Sequence, residues 1–340
     1  MTTIAGTGGS GFDGDGPATQ RTVSAPSDVS TDGARVLFAD SGSGRLRTAE
    51  AGRLTSLTGD QPKAEPALRS AFVQPGDCVY DNAGRITVID GDVLRRFDPA
   101  RGTLTRIAGN GTTDGPLGDD GPATAGRLNS PSGLAFDGEG GLWVADRANH
   151  RIRRIDPTTG VITTVAGGNR GNDDGPALLA RFDEPADIAL DADLGLYIAD
   201  RGNHLLRYLS FETGAVSTVA GNGAPGYVDG PALNAQLNRP DSVAVGLDGA
   251  VYIFDAENAA LRRYNYNSRS LETIAGDGVV CSSSGCGDGG SPRDAQFGGR
   301  SGSLAVTPTG SILVADQGVE RIREISIESD SINSIAGGGD

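Results

Sequence analysis

Along most of the chain, apolar and polar residues alternate in short runs, each broken by Gly, Pro, Asn or Asp. The clearest unit is residues 128–167. Within it, 132–137 (SGLAFD), 141–146 (GLWVAD), 151–155 (RIRRI) and 161–166 (VITTVA) are separated by turn sequences, including DPTTG at 156–160. Runs this short, bounded by turn formers, predict antiparallel meander strands rather than helices. Four strands joined by tight turns make one propeller-type blade, which alone cannot bury either of its faces.

The neighbours such a blade needs are in the same chain. A short phrase ending in Ala-Gly or Thr-Gly closes each unit, near residues 6, 59, 109, 167, 221, 276 and 337. Seven such ends bound six units, each longer than the about 40–50 residues usual for propeller blades. The extra length falls between the marker and the next inner strand. The pattern therefore predicts an all-β, six-bladed β-propeller of four-stranded antiparallel blades, forming one domain over 1–340, with short helical turns in the connections between blades.

Superposing the units separates what every copy keeps from what only some carry. The second strand ends on Asp each time (Asp40, Asp90, Asp146, Asp200, Asp255, Asp316), and the third carries Arg (Arg47, Arg95, Arg153, Arg207, Arg262, Arg323). Carboxylate and guanidinium on adjacent strands can form a charge-assisted pair. Chemistry that needs one place is not repeated six times, so these twelve residues are assigned to structure. Trp143 exchanges with Leu, Thr and Tyr in the other units, which suits core packing. His150 and His204 share a turn position that holds Ala259 and Glu320 elsewhere, so His is not obligatory there.

Each long connection has its own signature: Gly-Pro-Ala at 16–18, 121–123, 175–177 and 230–232, a degenerate Glu-Pro-Ala at 65–67, and a looser Ser-Pro-Arg at 291–293. Pro there reads as the first residue of a short helix, with Asp15, Asp120, Asp174 and Asp229 at the positive end of its dipole.

Composition narrows the function. The chain has 340 residues and a net charge of -15. An acidic chain repels a phosphate backbone, so nucleic acid is excluded as a partner. No apolar run is long enough to span a bilayer. The first residues lack the charged and apolar regions of a signal peptide, as in a mature or excised domain. Of three cysteines, Cys281 and Cys286 sit in a Ser/Gly-rich insertion that suits a small disulfide-closed loop, and Cys78 lies on a predicted inner strand. A disulfide favours an extracytoplasmic or secreted setting.

The phrase PSGLAFDGEGGLWVADRANHRIRRID (131–156) resembles the NHL repeat, with Asn149-His150 and Asn203-His204 standing where that family has its Asn-His pair. The resemblance runs through all six units, best in the third and fourth. It implies a six-bladed ring in which first strands line a central channel, fourth strands are outermost, and the fourth-to-first and second-to-third connections share one face. It does not imply a single function. Two copies compete to be the last outer strand, residues 2–6 and 331–337; the N-terminal one is expected to close the ring.

At the channel mouth the inner strands bring Asp28, Asp77, Asp187 and, one position earlier, Asp241. Converging carboxylates can hold a hard cation such as Ca²⁺, or turn back to cap loop amides. The histidine-held metal of NHL-type lyases cannot be assembled from only two histidines. Lactonase-like propellers hold Ca²⁺ through Glu, Asn and Asp; Asp241 resembles one such ligand, but Ser132 stands where Asn is expected. The sequence therefore points to a non-catalytic binding or scaffold propeller, presenting its loop-rich face to a protein, peptide or glycan, monomeric within a larger extracytoplasmic chain. Arg147, Asn149, His150, Arg201, Asn203 and His204 form the binding patch, since they break the ring's symmetry. The competing expectation is a Ca²⁺-dependent lactonase- or lyase-like enzyme at the channel mouth.

Overall fold

A computed structural model describes residues 12–18, 21–58, 72–112, 114–192, 194–281, 286–299 and 301–336. Its strands form six antiparallel sheets, each built from consecutive strands in chain order. In blade 3 these are Gly133–Phe136, Leu142–Asp146, Arg151–Ile155 and Val161–Gly167, within a residue or two of the expected spans. The first strands, Pro26–Thr31, Pro75–Tyr80, Gly133–Phe136, Pro185–Asp191, Pro240–Val245 and Gly302–Val306, each lie against the next. The sixth lies against the first again, which closes the ring.

The second strand of blade 3 is buried along its whole length, as are those of blades 2, 4, 5 and 6. A strand covered on both faces reads as a continuous apolar run rather than an alternating one. Six apolar clusters fill the gaps between neighbouring sheets. The cluster joining Val29 and Phe38 to Leu313, Ala315 and Ile322 seals the last blade to the first. Trp143 is buried in another, stacked on Phe211 with ring centroids 5.0 Å apart, its indole N–H donating to Asp137.

Closure differs from the sequence expectation. Ser331–Ala336 pairs with Arg321–Ser326 as the outermost strand of blade 6, so the C-terminal copy occupies that place. The N-terminal copy, 2–6, lies outside the described residues, as do 65–67 and the repeat ends near 6, 59 and 337.

The recurrent Ala-Gly marker has a steric cause. Gly109, Gly167, Gly221 and Gly276 all take left-handed φ values, from 80° to 94°. At Gly167 a Cβ would stand 2.6 Å from the His150 carbonyl oxygen, and at Gly221 2.5 Å from that of His204. Only Gly reconciles that backbone with that approach.

The six Asp–Arg pairs form as expected, at 3.1 Å (Asp40–Arg47), 3.0 Å (Asp90–Arg95), 3.1 Å (Asp146–Arg153), 2.8 Å (Asp200–Arg207), 2.6 Å (Asp255–Arg262) and 3.3 Å (Asp316–Arg323). The other oxygen of each Asp accepts a backbone N–H from the incoming connection: Ser24, Val73, Asn129, Asp183, Asn238 and Gly298. Each pair therefore ties strands two and three to the loop that enters the blade.

The connections depart from the expected helices. Gly16–Pro17, Gly121–Pro122, Gly175–Pro176 and Gly230–Pro231 add a short fifth strand outside the fourth. The chain then makes a single turn, as where the Ala235 N–H donates to the Pro231 carbonyl at 2.9 Å. Regular helical turns are 3-10 in type, such as Arg147–Asn149 and Pro292–Asp294. The upstream carboxylates are not at helix ends. Asp119 (in place of Asp120), Asp174 and Asp229 grip the buried Arg153, Arg207 and Arg262 at 2.7, 2.7 and 2.6 Å. Asp15 accepts from the backbone N–H and hydroxyl of Ser56 in the fourth strand of blade 1. A buried guanidinium offers five donors, and these carboxylates, with backbone carbonyls of the connection, take several that the second-strand Asp leaves.

Cys281 and Cys286 are joined in a disulfide, and Cys78 is free and buried. Among the described residues no helix is long and apolar enough to cross a membrane.

Candidate ligand site at the channel mouth

Where the inner strands converge, a cavity of about 430 Å³ opens between the fourth-to-first and second-to-third connections, lined from all six blades. Its floor is a belt of side chains that knits each inner strand to the next. Asp28 accepts the backbone N–H of Cys78 at 2.8 Å and its Sγ–H at 3.1 Å. Asp77 accepts from the Leu134 N–H. Ser132 donates to the Ala186 carbonyl at 2.6 Å. Asp187 accepts from Val243 N–H at 2.9 Å and from the Ser242 hydroxyl at 2.6 Å. Ser242 in turn accepts from Leu304 N–H at 3.0 Å, and Ser303 donates to Asp28, completing the circle. At the position equivalent to Asp28, Asp77 and Asp187, blade 3 has Gly133, where a Cβ would meet the Asp187 Cα at 2.7 Å.

The belt sets the charge of the floor. Burial, then the neighbouring charges of Asp28 and Asp187 and a hydrogen bond to Asp28, push Asp77 well above the usual carboxylate range. Burial lifts Asp187 to about 7, against the lowering effect of its hydrogen bonds from Ser242, Val243 and Ile188. A carboxyl kept from water and set beside another carboxylate holds its proton. Of the four candidate metal-binding carboxylates, Asp28, Asp77 and Asp187 thus come within each other's fields. Asp241 turns to Arg201 (2.9 Å) and Ser301 (2.6 Å). Among the described residues no three His, Cys, Asp or Glu side chains gather as a metal cage.

The expected binding patch divides. Asn149 and Asn203 donate to the buried Asp146 and Asp200 at 2.9 and 2.8 Å, and Asn258 does the same in blade 5. They finish the structural pairs. His150 and His204 hold left-handed backbone (φ 53° and 59°), and their Nδ1 atoms accept the backbone N–H of Glu184 and Arg239 in the next blade at 3.2 and 3.1 Å. An accepting Nδ1 requires the neutral ring with its proton on Nε2. Burial, with Arg239 and Arg201 nearby, lowers the His204 pKa and keeps that form.

Arg147 and Arg201 converge, joined by a third guanidinium that sequence comparison passed over. Arg147, Arg201 and Arg239 reach the same Glu184 Oε2 at 3.2, 3.4 and 3.1 Å. Burial alone would raise the Glu184 pKa, but the Arg147 hydrogen bond and the three cationic charges outweigh it and lower it. Glu184 and Arg239 stand before Pro185 and Pro240 with φ 53° and 55°, where the equivalent residues Ala25 and Ser130 have 45° and 47°. The sequence signal was present there: charge at a position that holds Ala25, Gln74 and Ser130 in blades 1 to 3.

The corresponding turn position of the other blades carries no charge. Ser41, Gly91, Ala256 and Gln317 occupy the turn position of Arg147 and Arg201, and Ser27 and Ser41 hydrogen-bond each other and the Pro75 carbonyl. Among the described residues that line the cavity, the one arginine is Arg147, and the guanidiniums it meets at Glu184 come from blades 4 and 5.

These features define a six-bladed propeller with a one-sided, polar channel mouth. The chain carries NHL repeats: the NHL repeat model matches residues 128–155 and 182–207, in blades 3 and 4, and the other blades repeat the same architecture. It is 31% identical over 244 residues to Teneurin-1 of Mus musculus, covering 64% of this chain and 9% of that protein, so it corresponds to a small part of that relative. Among solved structures it resembles an auxiliary nutrient binding protein from Bacteroides thetaiotaomicron, with TM-score 0.71 and 14% identity, covering 98% of this chain and 76% of the other. It also resembles virginiamycin B lyase from Staphylococcus aureus, with TM-score 0.54 and 13% identity, covering 92% and 84%. At such identities the likeness shows the fold alone.

Proposed function

We propose that this chain is a non-catalytic binding propeller, a module that offers its channel-mouth face to a protein, peptide or glycan partner outside the cytoplasm. The observation that carries the reading is a cluster on one side of the ring: three guanidiniums from three consecutive blades meet at one carboxylate, and Arg147 among them lines the cavity. The floor carboxyls and hydroxyls are occupied in holding neighbouring strands together, which leaves them committed to the fold. The disulfide supports an oxidising compartment. The fold is shared with a binding protein and with a lyase, so the proposal rests on the mouth and not on likeness.

Glycan and peptide arrays probed with the wild-type chain, Arg147→Glu and Tyr266→Ala test it. Tyr266 is exposed in the turn between Ala260–Asn265 and Ser270–Ala275, on the opposite end of the ring. Signals lost in Arg147→Glu and kept in Tyr266→Ala, at unchanged melting temperature, support the mouth. The reverse pattern overturns it.

The competing reading is a Ca²⁺-dependent lactonase- or lyase-like enzyme, favoured by the mutual proximity of Asp28, Asp77 and Asp187. Oxygen ligands of this kind suit a hard cation once ionised. Elemental analysis of chain purified without chelator tests it: one calcium per chain, lost in Asp187→Asn, favours the enzyme.

A further inference from the structure

Within the proposed mouth site, the arrangement of charge and hydroxyls specifies a chemistry. Arg147 and Arg239 each contribute five N–H donors, yet each makes one hydrogen bond through its side chain, and both go to the same Glu184 oxygen. Arg201 adds a third contact to that atom while its Nε lies 2.9 Å from Asp241. One carboxylate oxygen cannot use three planar forks, each of which matches a whole carboxylate bidentately. Glu184 is 40% exposed and sits on a connection, so it can withdraw without disturbing a strand. Arg201 is only 11% exposed, which holds the centre of the cluster in place.

Of the cluster, Arg147 lines the cavity, and beyond it the wall changes character. Ser27, Ser41, Gln74 and Gln317 line it, with Asp92 as an acceptor. Asp92 already takes the Ser130 N–H at 2.7 Å through one oxygen. Ser27 and Ser41 already bond each other and the Pro75 carbonyl, so the Gln74 and Gln317 amides and the second oxygen of Asp92 are the groups that would pair with ligand hydroxyls. The cavity volume lies within the range of small-ligand sites.

We infer that the mouth binds a polyhydroxylated carboxylate, a sugar acid either free or at the end of a glycan, whose carboxylate takes the place of Glu184 among Arg147, Arg201 and Arg239. Glu184 is then an internal stand-in that keeps the guanidiniums assembled in the empty site. The inference rests on the mouth being the binding face, and it adds the ligand class.

Titration calorimetry with D-gluconate and D-glucuronate tests it, with glucose (no carboxylate) and acetate (no hydroxyls) as partial ligands. Removing the competing charge in Glu184→Gln should tighten gluconate binding about tenfold, and Arg239→Ala should weaken it by about the same factor, as expected for a charge-assisted hydrogen bond. Glucose and acetate should each bind more weakly than gluconate in every variant. Thermal midpoints within a few degrees of wild type keep loss of fold from mimicking loss of binding. Equal gluconate affinity in wild type and Glu184→Gln, or unchanged affinity in Arg239→Ala, overturns the inference. If array signals still depend on Arg147 while gluconate does not bind, the sugar-acid assignment fails and the binding face stands; loss of both removes both.

Discussion

Arginine meets carboxylate in two places, with opposite consequences. In the blades, Arg207 is fully buried: one amino group lies 2.8 Å from Asp200 and 3.1 Å from the Arg181 carbonyl, the other 2.7 Å from Asp174, and the guanidinium sits over the Phe182 ring. At the mouth, Arg147, Arg201 and Arg239 share one oxygen of a half-exposed glutamate. The first arrangement is repeated and buried, with guanidiniums such as those of Arg207 and Arg262 spread over several acceptors. The second occurs on three blades and leaves donors in excess. In a repeat protein, recurrence with burial marks structure, and an exposed departure from the repeat that leaves donors in excess marks the place where a ligand can add something.

The comparison breaks most readily at the buried pairs. Asp200→Ala should cost about 3–5 kcal/mol of stability, because it leaves a buried guanidinium without its counter-charge, and urea unfolding will read it. Asp90→Ala should cost less, about 1–2 kcal/mol, since Arg95 is 30% exposed and water can replace the lost partner. Equal losses would mean that burial is not what separates the two. Gly133→Ala should cost about 1–3 kcal/mol by forcing a methyl against the Asp187 backbone.

The floor and the mouth should also respond oppositely to pH. Asp187 has its folded pKa raised to about 7, so its contribution is fully present below its unfolded value near 3.8 and is lost as pH rises through 7. Glu184 has a lowered pKa, so its contribution is present above its unfolded value near 4.5 and lost as pH falls below it. His204, also lowered, holds its inter-blade hydrogen bond above about pH 6.5 and loses that contribution as pH falls through its folded pKa. Carboxyl and imidazole NMR titrations will place each group; an Asp187 carboxyl that titrates near 4 would show that the floor is wetter than its packing indicates. The smallest effect is expected for Glu184→Gln, within about 1 kcal/mol of wild-type stability, as for exposed ion pairs.

Much of this was legible beforehand where a residue's role is local and repeated. The six Asp–Arg pairs were visible because each sits within one blade, seven residues apart, or five in blade 2, where Gly91-Asp92 replaces the longer 3-10 turn. Asn149 and His150 depart from the common pattern, as binding residues would, yet the fold uses their side chains itself. The Asp residues ahead of each Gly-Pro were visible too. Their partners were not, because Arg153 and Asp119 are 34 residues apart and meet only when the connection folds back over the blade.

The chain's own repetition determined the blade count, the strand order and the buried charge pairs, since these follow from contacts within about one unit. Tertiary structure alone decided which terminal copy became the last outer strand, because both copies carry the same Ile-Ala-Gly phrase. It alone assembled the mouth, where Glu184 meets Arg147 across 37 residues and Arg239 across 55. Local propensity and hydrophobic pattern act over a few residues; a cluster drawn from three blades exists only once the ring has closed and the distances between blades are set by their packing.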